Sequence, residues 1–197
     1  MLVAGIFSSI QGEGNFVGIP ATIIYTAGCN IDCDLCATKK FWGNQEEIED
    51  LSITDIVTKV KELNQSLVVI TGGEPCIHEE LQELVDQLQI AGCVVCVETN
   101  GTHATPEADW ITCSPNVKTG YNINILCKPN ELKYLVTDDF DVDIAIPEEI
   151  REMYAGKIWL QPEHSRMQKV WRRCYTIAMA DSRLRVGVSL HKLMNQK

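Results

Sequence analysis

Apolar residues along this chain fall into short continuous runs, separated by polar stretches that repeat with helical spacing. The runs "ATIIYTA" (21–27), "SLVVIT" (66–71) and "CVVCVET" (93–99) are β-branched and bounded by turn residues, so they read as buried strands. Shorter runs at "WITCS" (110–114), "LKYLV" (132–136), "VDIAI" (142–146), "KIWLQ" (157–161) and "LRVGVSL" (184–190) predict further strands. Between the first two, "NQEEIED" (44–50) is a polar connection and "SITDIVTKVKEL" predicts a helix. Ser52 is its N-cap, with Asp55 three residues on, and Ile56, Val57, Val60 and Leu63 form its apolar stripe. "HEELQELVDQLQI" predicts a second helix, with Leu81, Leu84, Val85 and Leu88 on one face and Gly92 as the stop. A last helix is expected within 167–180.

Strands alternating with helices point to an α/β fold with a parallel sheet. A closed eight-stranded barrel needs about 250 residues. With 197 residues, the expectation is one domain over 1–197, built as a partial (β/α) barrel or an open sheet. In either, ligands gather at the C-terminal ends of the strands.

Composition narrows the class. The chain is 45% hydrophobic and 22% charged, ordinary for a globular protein. Its net charge of -10 argues against direct nucleic-acid binding. The N-terminal "MLVAGIFSSIQGEG" has neither a basic segment nor a long apolar run, and no stretch approaches the ~20 apolar residues of a membrane span. The expectation is a cytoplasmic protein with no membrane partner. There, nine cysteines suggest reduced thiols and a metal or redox site.

"GCNIDCDLC" places Cys29, Cys33 and Cys36 in C-x-x-x-C-x-x-C spacing just after a strand. Three thiolates on one short loop can wrap a metal centre. Structural zinc wants four ligands, and so does an ordinary iron–sulfur cube; three leave one iron open for chemistry. Reduced loop cysteines, or zinc completed from elsewhere, are the other readings. Cys93 and Cys96, three apart on a strand, point to opposite faces and do not share a metal. Cys76, Cys113, Cys127 and Cys174 read as small buried residues. Near the start, "QGEG" sets Gln11 and Glu13 between glycines. An extended backbone turns both side chains to one side; a polar turn is the plainer reading.

The cysteine spacing, with "TGGEP" (71–75) after the next strand, resembles the radical S-adenosylmethionine (SAM) superfamily. "IQGEG", "GIPA", "CATKKFW", "VVITGGEPCIH", "VETNGTH", "SPN", "LQPEH" and "LHKLM" resemble, in order, the motifs of the 7-carboxy-7-deazaguanine synthases of queuosine biosynthesis. The resemblance implies a reduced (β/α) barrel of the radical SAM type. It implies a lyase that converts 6-carboxy-5,6,7,8-tetrahydropterin to 7-carboxy-7-deazaguanine with loss of ammonia. It further implies a 4Fe–4S cluster, SAM, Mg²⁺, an electron donor such as flavodoxin or ferredoxin, and a homodimer.

Residue by residue, the resemblance puts Cys29, Cys33 and Cys36 on the cluster and Thr38 on Mg²⁺. Leu35, Cys36, Ala37, Gly72, Gly73, Glu74, Ser114, Pro115, Asn116, Gln161, Pro162, Glu163 and His164 fall at SAM. Ile10, Gln11, Gly12, Glu13, Tyr25, Thr71, His191 and Lys192 fall at the pterin. Gln11 offers a donor and an acceptor, and Glu13 acceptors only, which suits a pterin edge.

Three positions depart from the family pattern. Ala37 stands for an Asp, Asn116 for the lysine of "SPK" (with Lys118 nearby), and Tyr25 for an Arg suited to the substrate carboxylate. The last predicts another cation there, such as Lys192, or another substrate. Two further readings stay open: a glycyl-radical-activating enzyme, and a diverged member with another substrate or a regulatory role.

Overall fold

The computed structural model describes residues 1–36, 48–116 and 128–194. Its centre is one nine-stranded sheet. The strands are β1 (Leu2–Ile10), β2 (Pro20–Thr26), β3 (Glu49–Asp50), β4 (Leu67–Gly72), β5 (Val94–Thr99), β6 (Trp110–Cys113), β7 (Glu131–Val136), β8 (Lys157–Pro162) and β9 (Leu184–Val186). They lie in the order β3-β1-β2-β4-β5-β6-β7-β8-β9, so the sheet stays open, as the chain length suggested. Each strand from β2 to β9 along this order runs parallel to its neighbour; β1 and β3 are antiparallel at one edge.

The two long apolar helices form as their sequence requires. α1 (Ile53–Leu63) starts at Ser52, whose Oγ accepts from Asp55 N at 3.1 Å. It stops at Asn64, in the left-handed region at φ 53°. α2 (Leu81–Ile90) buries Leu81, Leu84, Val85 and Leu88. Both pack on one sheet face against Ile24, Val68, Ile70, Val95 and Val97.

The C-terminal half departs from expectation at two points. The predicted strand at 142–146 is instead a short helix, α3 (Val142–Ala145). Five residues of "VDIAI" fit either period, and Asp141 decides, because its carboxylate accepts from Asp143 N at 3.0 Å and Ile144 N at 3.3 Å. α4 (Glu148–Met153) follows. α5 (Met167–Ala180) packs on β8 and β9 and buries Val170 and Cys174. The strand expected over 184–190 ends at Val186, and the chain turns into α6 (Leu190–Leu193). Strand β1 gave no clear sequence signal: Gly5 interrupts its run, and its register with β2 slips between Val3 and Gly5.

Helices cover one face of the sheet. The other face begins apolar at the N-terminal strand ends, with Ala21, Ile23, Leu67, Val69 and Cys96. On those same strands it turns polar toward the C-terminal ends, at Tyr25, Thr71 and Glu98, and polar residues continue along β6 to β8 as Thr112, Glu131, Lys133 and Gln161. No helix among the described residues is long and apolar enough to cross a membrane.

Candidate active site

The cysteine loop leaves β2 at its C-terminal end, and the "TGGEP" turn leaves the adjacent β4 at the same end. The two are locked together. Gly73 N donates to Thr26 O at 3.0 Å and Glu74 N to Gly28 O at 2.9 Å. A Cβ on Gly73 would stand 2.6 Å from the Gly28 carbonyl carbon. Gly73 is therefore required by the start of the cysteine loop itself, a reason the sequence did not show.

Glu74 completes the clamp. Its side chain is fully buried; one oxygen accepts from Cys76 N at 2.9 Å and Thr99 Oγ1 at 2.7 Å, the other from Asn100 N at 2.6 Å. Beyond β5, Asn100 Nδ2 donates to Asn30 Oδ1 at 2.9 Å, and Asn30 Nδ2 donates to Thr102 Oγ1 at 2.8 Å. The loop that carries the thiols is thus tied to two neighbouring strand ends.

Cys29, Cys33 and Cys36 are half-buried and none is in a disulfide. Burial, then Glu74 and the other two thiols, push the Cys29 thiol above its ordinary range. Asn116, following β6, donates from Nδ2 to Cys33 Sγ at 3.2 Å. Among the described residues no group of three His, Cys, Asp or Glu converges on a point where one metal ion would sit. An iron–sulfur cube differs, because each thiolate takes its own iron. Three reduced thiols on a braced loop at the strand ends fit that donor set.

Beside the thiols lies a second cluster, on the open face. Gln11 Nε2 donates to Glu98 Oε1 at 3.1 Å and Thr71 Oγ1 to Glu98 Oε2 at 3.0 Å. Lys133 Nζ is 2.9 Å from Glu13 Oε2 and 3.6 Å from Glu98 Oε1. Ser189 donates to the other oxygen of Glu13, and Gln161 Nε2 to Ser189 Oγ at 3.2 Å. Burial alone would raise the Glu13 carboxyl; Lys133, Ser189 and Lys192 overcome it and bring it down to about 2. Burial, Glu98 and Glu13 push the Tyr25 hydroxyl up to about 12, so it is a neutral donor at neutral pH.

The C-terminal segment closes over this cluster. Leu190 N donates to Gly12 O at 2.8 Å, and a Cβ on Gly12 would stand 2.7 Å from His191 Cγ. Burial holds the His191 imidazole below its ordinary range. The "QGEG" loop is pinned from the sheet as well: Glu131 accepts from Asn15 N at 3.1 Å, Thr112 Oγ1 at 2.8 Å and Trp159 Nε1 at 2.7 Å.

A family model describing the radical SAM superfamily matches residues 23–111. The chain is 35% identical to the 7-carboxy-7-deazaguanine synthase of Bacteroides thetaiotaomicron, with 96% of this chain and 95% of that one covered. It is 34% identical to the enzyme of the same name from Escherichia coli K12, with 96% of each covered. The crystal structure of QueE from Escherichia coli superposes with a TM-score of 0.82 at 29% identity, over 96% of this chain and 94% of that one. The chain belongs to the 7-carboxy-7-deazaguanine synthase family. It is a radical SAM enzyme, and membership carries a 4Fe–4S cluster and SAM with it.

The synthase-family resemblance singled out many of these residues, and the structure brings two groups together. Gln11, Gly12, Glu13, Tyr25, Thr71, Gln161 and His191 gather on or over the open face. Cys29, Cys33, Cys36, Gly73, Glu74 and Asn116 gather at the cysteine loop. Ile10 ends β1, Leu35 is exposed on the thiol loop, and Ser114 follows β6 with its N donating to Thr99 O at 2.7 Å. Pro162, Glu163 and His164 follow from the end of β8 into a 3-10 turn. Ala37, Thr38 and Lys118 lie outside the described residues. Sequence reasoning did not single out Lys133, Glu98, Glu131 or Ser189. The signal for Lys133 was present: it is a polar residue in an apolar alternating run, "LKYLV".

Proposed function

We propose that this chain converts 6-carboxy-5,6,7,8-tetrahydropterin to 7-carboxy-7-deazaguanine, with loss of ammonia. The observation that carries this reading is the pairing of two clusters at one end of one sheet: a braced three-thiol loop and, beside it, a face of hydrogen-bonding groups suited to a flat, donor-rich heterocycle. Cys29, Cys33 and Cys36 would hold a 4Fe–4S cluster, which together with SAM would supply the radical chemistry.

The chain's own residues supply the rest. Glu13 and Glu98 accept from ring N–H and amino groups. Gln11 and Thr71 fix the Glu98 carboxylate, and Ser189 and Lys133 fix that of Glu13. Gln161 in turn holds the Ser189 hydroxyl through its Nε2. His191 and Lys192, on α6, close the site against water. Gly72, Gly73, Ser114, Pro115 and the segment from Gln161 to His164 border SAM in this reading, and Thr38 holds Mg²⁺. We read residues 1–197 as one domain, acting with a flavodoxin-like or ferredoxin-like donor and as a homodimer.

Tyr25 takes the place of a family Arg, and in this reading it gives the substrate one neutral hydrogen bond. Isotope transfer tests the assignment. With deuterium at C6 of the carboxypterin, one deuterium must appear in 5′-deoxyadenosine. Unlabelled 5′-deoxyadenosine alongside consumed substrate contradicts the reading.

A further inference from the structure

Lys133 enters the open face from the middle of β7, with its side chain 12% exposed. It stands between two carboxylates that come from different parts of the chain. Glu13, on the N-terminal loop, is 15% exposed, and Glu98, at the end of β5, is 20% exposed. Two nearby, poorly solvated carboxylates repel one another, and burial favours the neutral form of Glu13. Their remaining partners do little to offset this. Glu98 accepts from the neutral donors Gln11 and Thr71. Glu13 has the neutral donor Ser189, with Lys192 contributing less than Lys133 to its charge. Tyr25 faces both carboxylates from β2 as a neutral phenol, and the His191 imidazole faces them from α6, held toward its neutral form by burial. Glu131 adds a third negative charge around the lysine.

We propose that Lys133 is a positioning residue for substrate binding: bridging Glu13 and Glu98, it holds both carboxylates in place and keeps Glu13 charged, so that the site receives its ligand through N–H donors. The inference rests on the pterin reading for the identity of that ligand. Lys133 does not itself need to touch it. Its ammonium is already engaged by both carboxylates.

The test compares the wild type with Lys133→Met, Lys133→Gln and Lys133→Arg. The first readout is the carboxyl ¹³C NMR signal of Glu13 in the protein without substrate, assigned with Glu13→Gln. In wild type and Lys133→Arg it should not titrate between about pH 5 and 8, whereas in Lys133→Met and Lys133→Gln it should. The second readout is KM in the reconstituted enzyme. Wild type and Lys133→Arg should be flat with pH, and Lys133→Met should show KM about tenfold higher at about pH 6 than at about pH 8, with kcat changed far less.

A Lys133→Met chain that is unfolded at neutral pH and refolds on mild acidification supports the proposal too. It is overturned if the Glu13 carboxyl stays charged in both neutral variants. It is overturned if KM rises by one factor at every pH, which would put Lys133 on the substrate itself. It is also overturned if both neutral variants fail to fold at any pH. Because the NMR titration contains no substrate, it stands even if the wild type makes no carboxydeazaguanine; that separate failure would count against the pterin reading alone.

Discussion

His191 lies against Gly12 so closely that no side chain fits between them, and the two segments are joined by the bond from Leu190 N to Gly12 O at 2.8 Å. The first loop and the last helical turn of the described chain therefore form one wall of the site. A methyl group at position 12 must displace the imidazole. Gly12→Ala should raise KM for the carboxypterin about tenfold, ~1.4 kcal/mol of binding, while the melting temperature moves little. Steady-state kinetics beside thermal melting checks this. A melting temperature that falls as sharply as KM rises would instead make the contact part of the fold.

Glu74 is a matter of stability before chemistry. Removing a buried carboxylate leaves three donors unpaired, at Cys76 N, Thr99 Oγ1 and Asn100 N. Glu74→Ala should cost about 3 kcal/mol and lower the melting temperature by roughly 10 °C, measured on the apoprotein. Iron bound after reconstitution should fall with it, since the same clamp braces the thiol loop.

Cys36→Ser separates the fold from the chemistry. The residue is half-buried on a loop, outside every strand and helix. Far-UV circular dichroism and the melting temperature should match the wild type, while 5′-deoxyadenosine formation is lost. Full turnover by this variant would remove the cysteine loop from the mechanism.

Two groups make the fold sensitive to acid over different ranges. His191 is held below its ordinary range by burial, so the unfolded chain takes up a proton first. Its contribution is present above about pH 6.5 and declines as pH falls below that. Glu13 is held down to about 2, so its contribution is present above about pH 4.5 and declines toward pH 2. Urea unfolding should show one loss of stability starting near neutrality that His191→Gln removes, and a second, deeper loss at acid pH that His191→Gln leaves in place.

Much of this could be read from the sequence because local pattern and tertiary demand agreed. Ser52, the Ile56–Val60 stripe and the Leu81–Leu88 stripe specify their helices wherever they are placed. The thiol loop was readable because three cysteines in eight positions have few other uses. What was not readable depends on partners remote in sequence. "VDIAI" is ambiguous until the Asp141 cap is seen. Gly73 shows no purpose until Gly28 lies against it. Lys133 is one polar residue in a strand, and its role exists only because Glu13 and Glu98 arrive from 120 and 35 residues away.

The central claim is tested most directly by anaerobic turnover. The protein is reconstituted with iron and sulfide, then given SAM, Mg²⁺, a reductant and 6-carboxytetrahydropterin, and the products are read by mass spectrometry. The account predicts 7-carboxy-7-deazaguanine together with 5′-deoxyadenosine. Formation of 5′-deoxyadenosine with no carboxydeazaguanine would contradict it and leave a radical SAM enzyme whose substrate is set by Tyr25 and its neighbours.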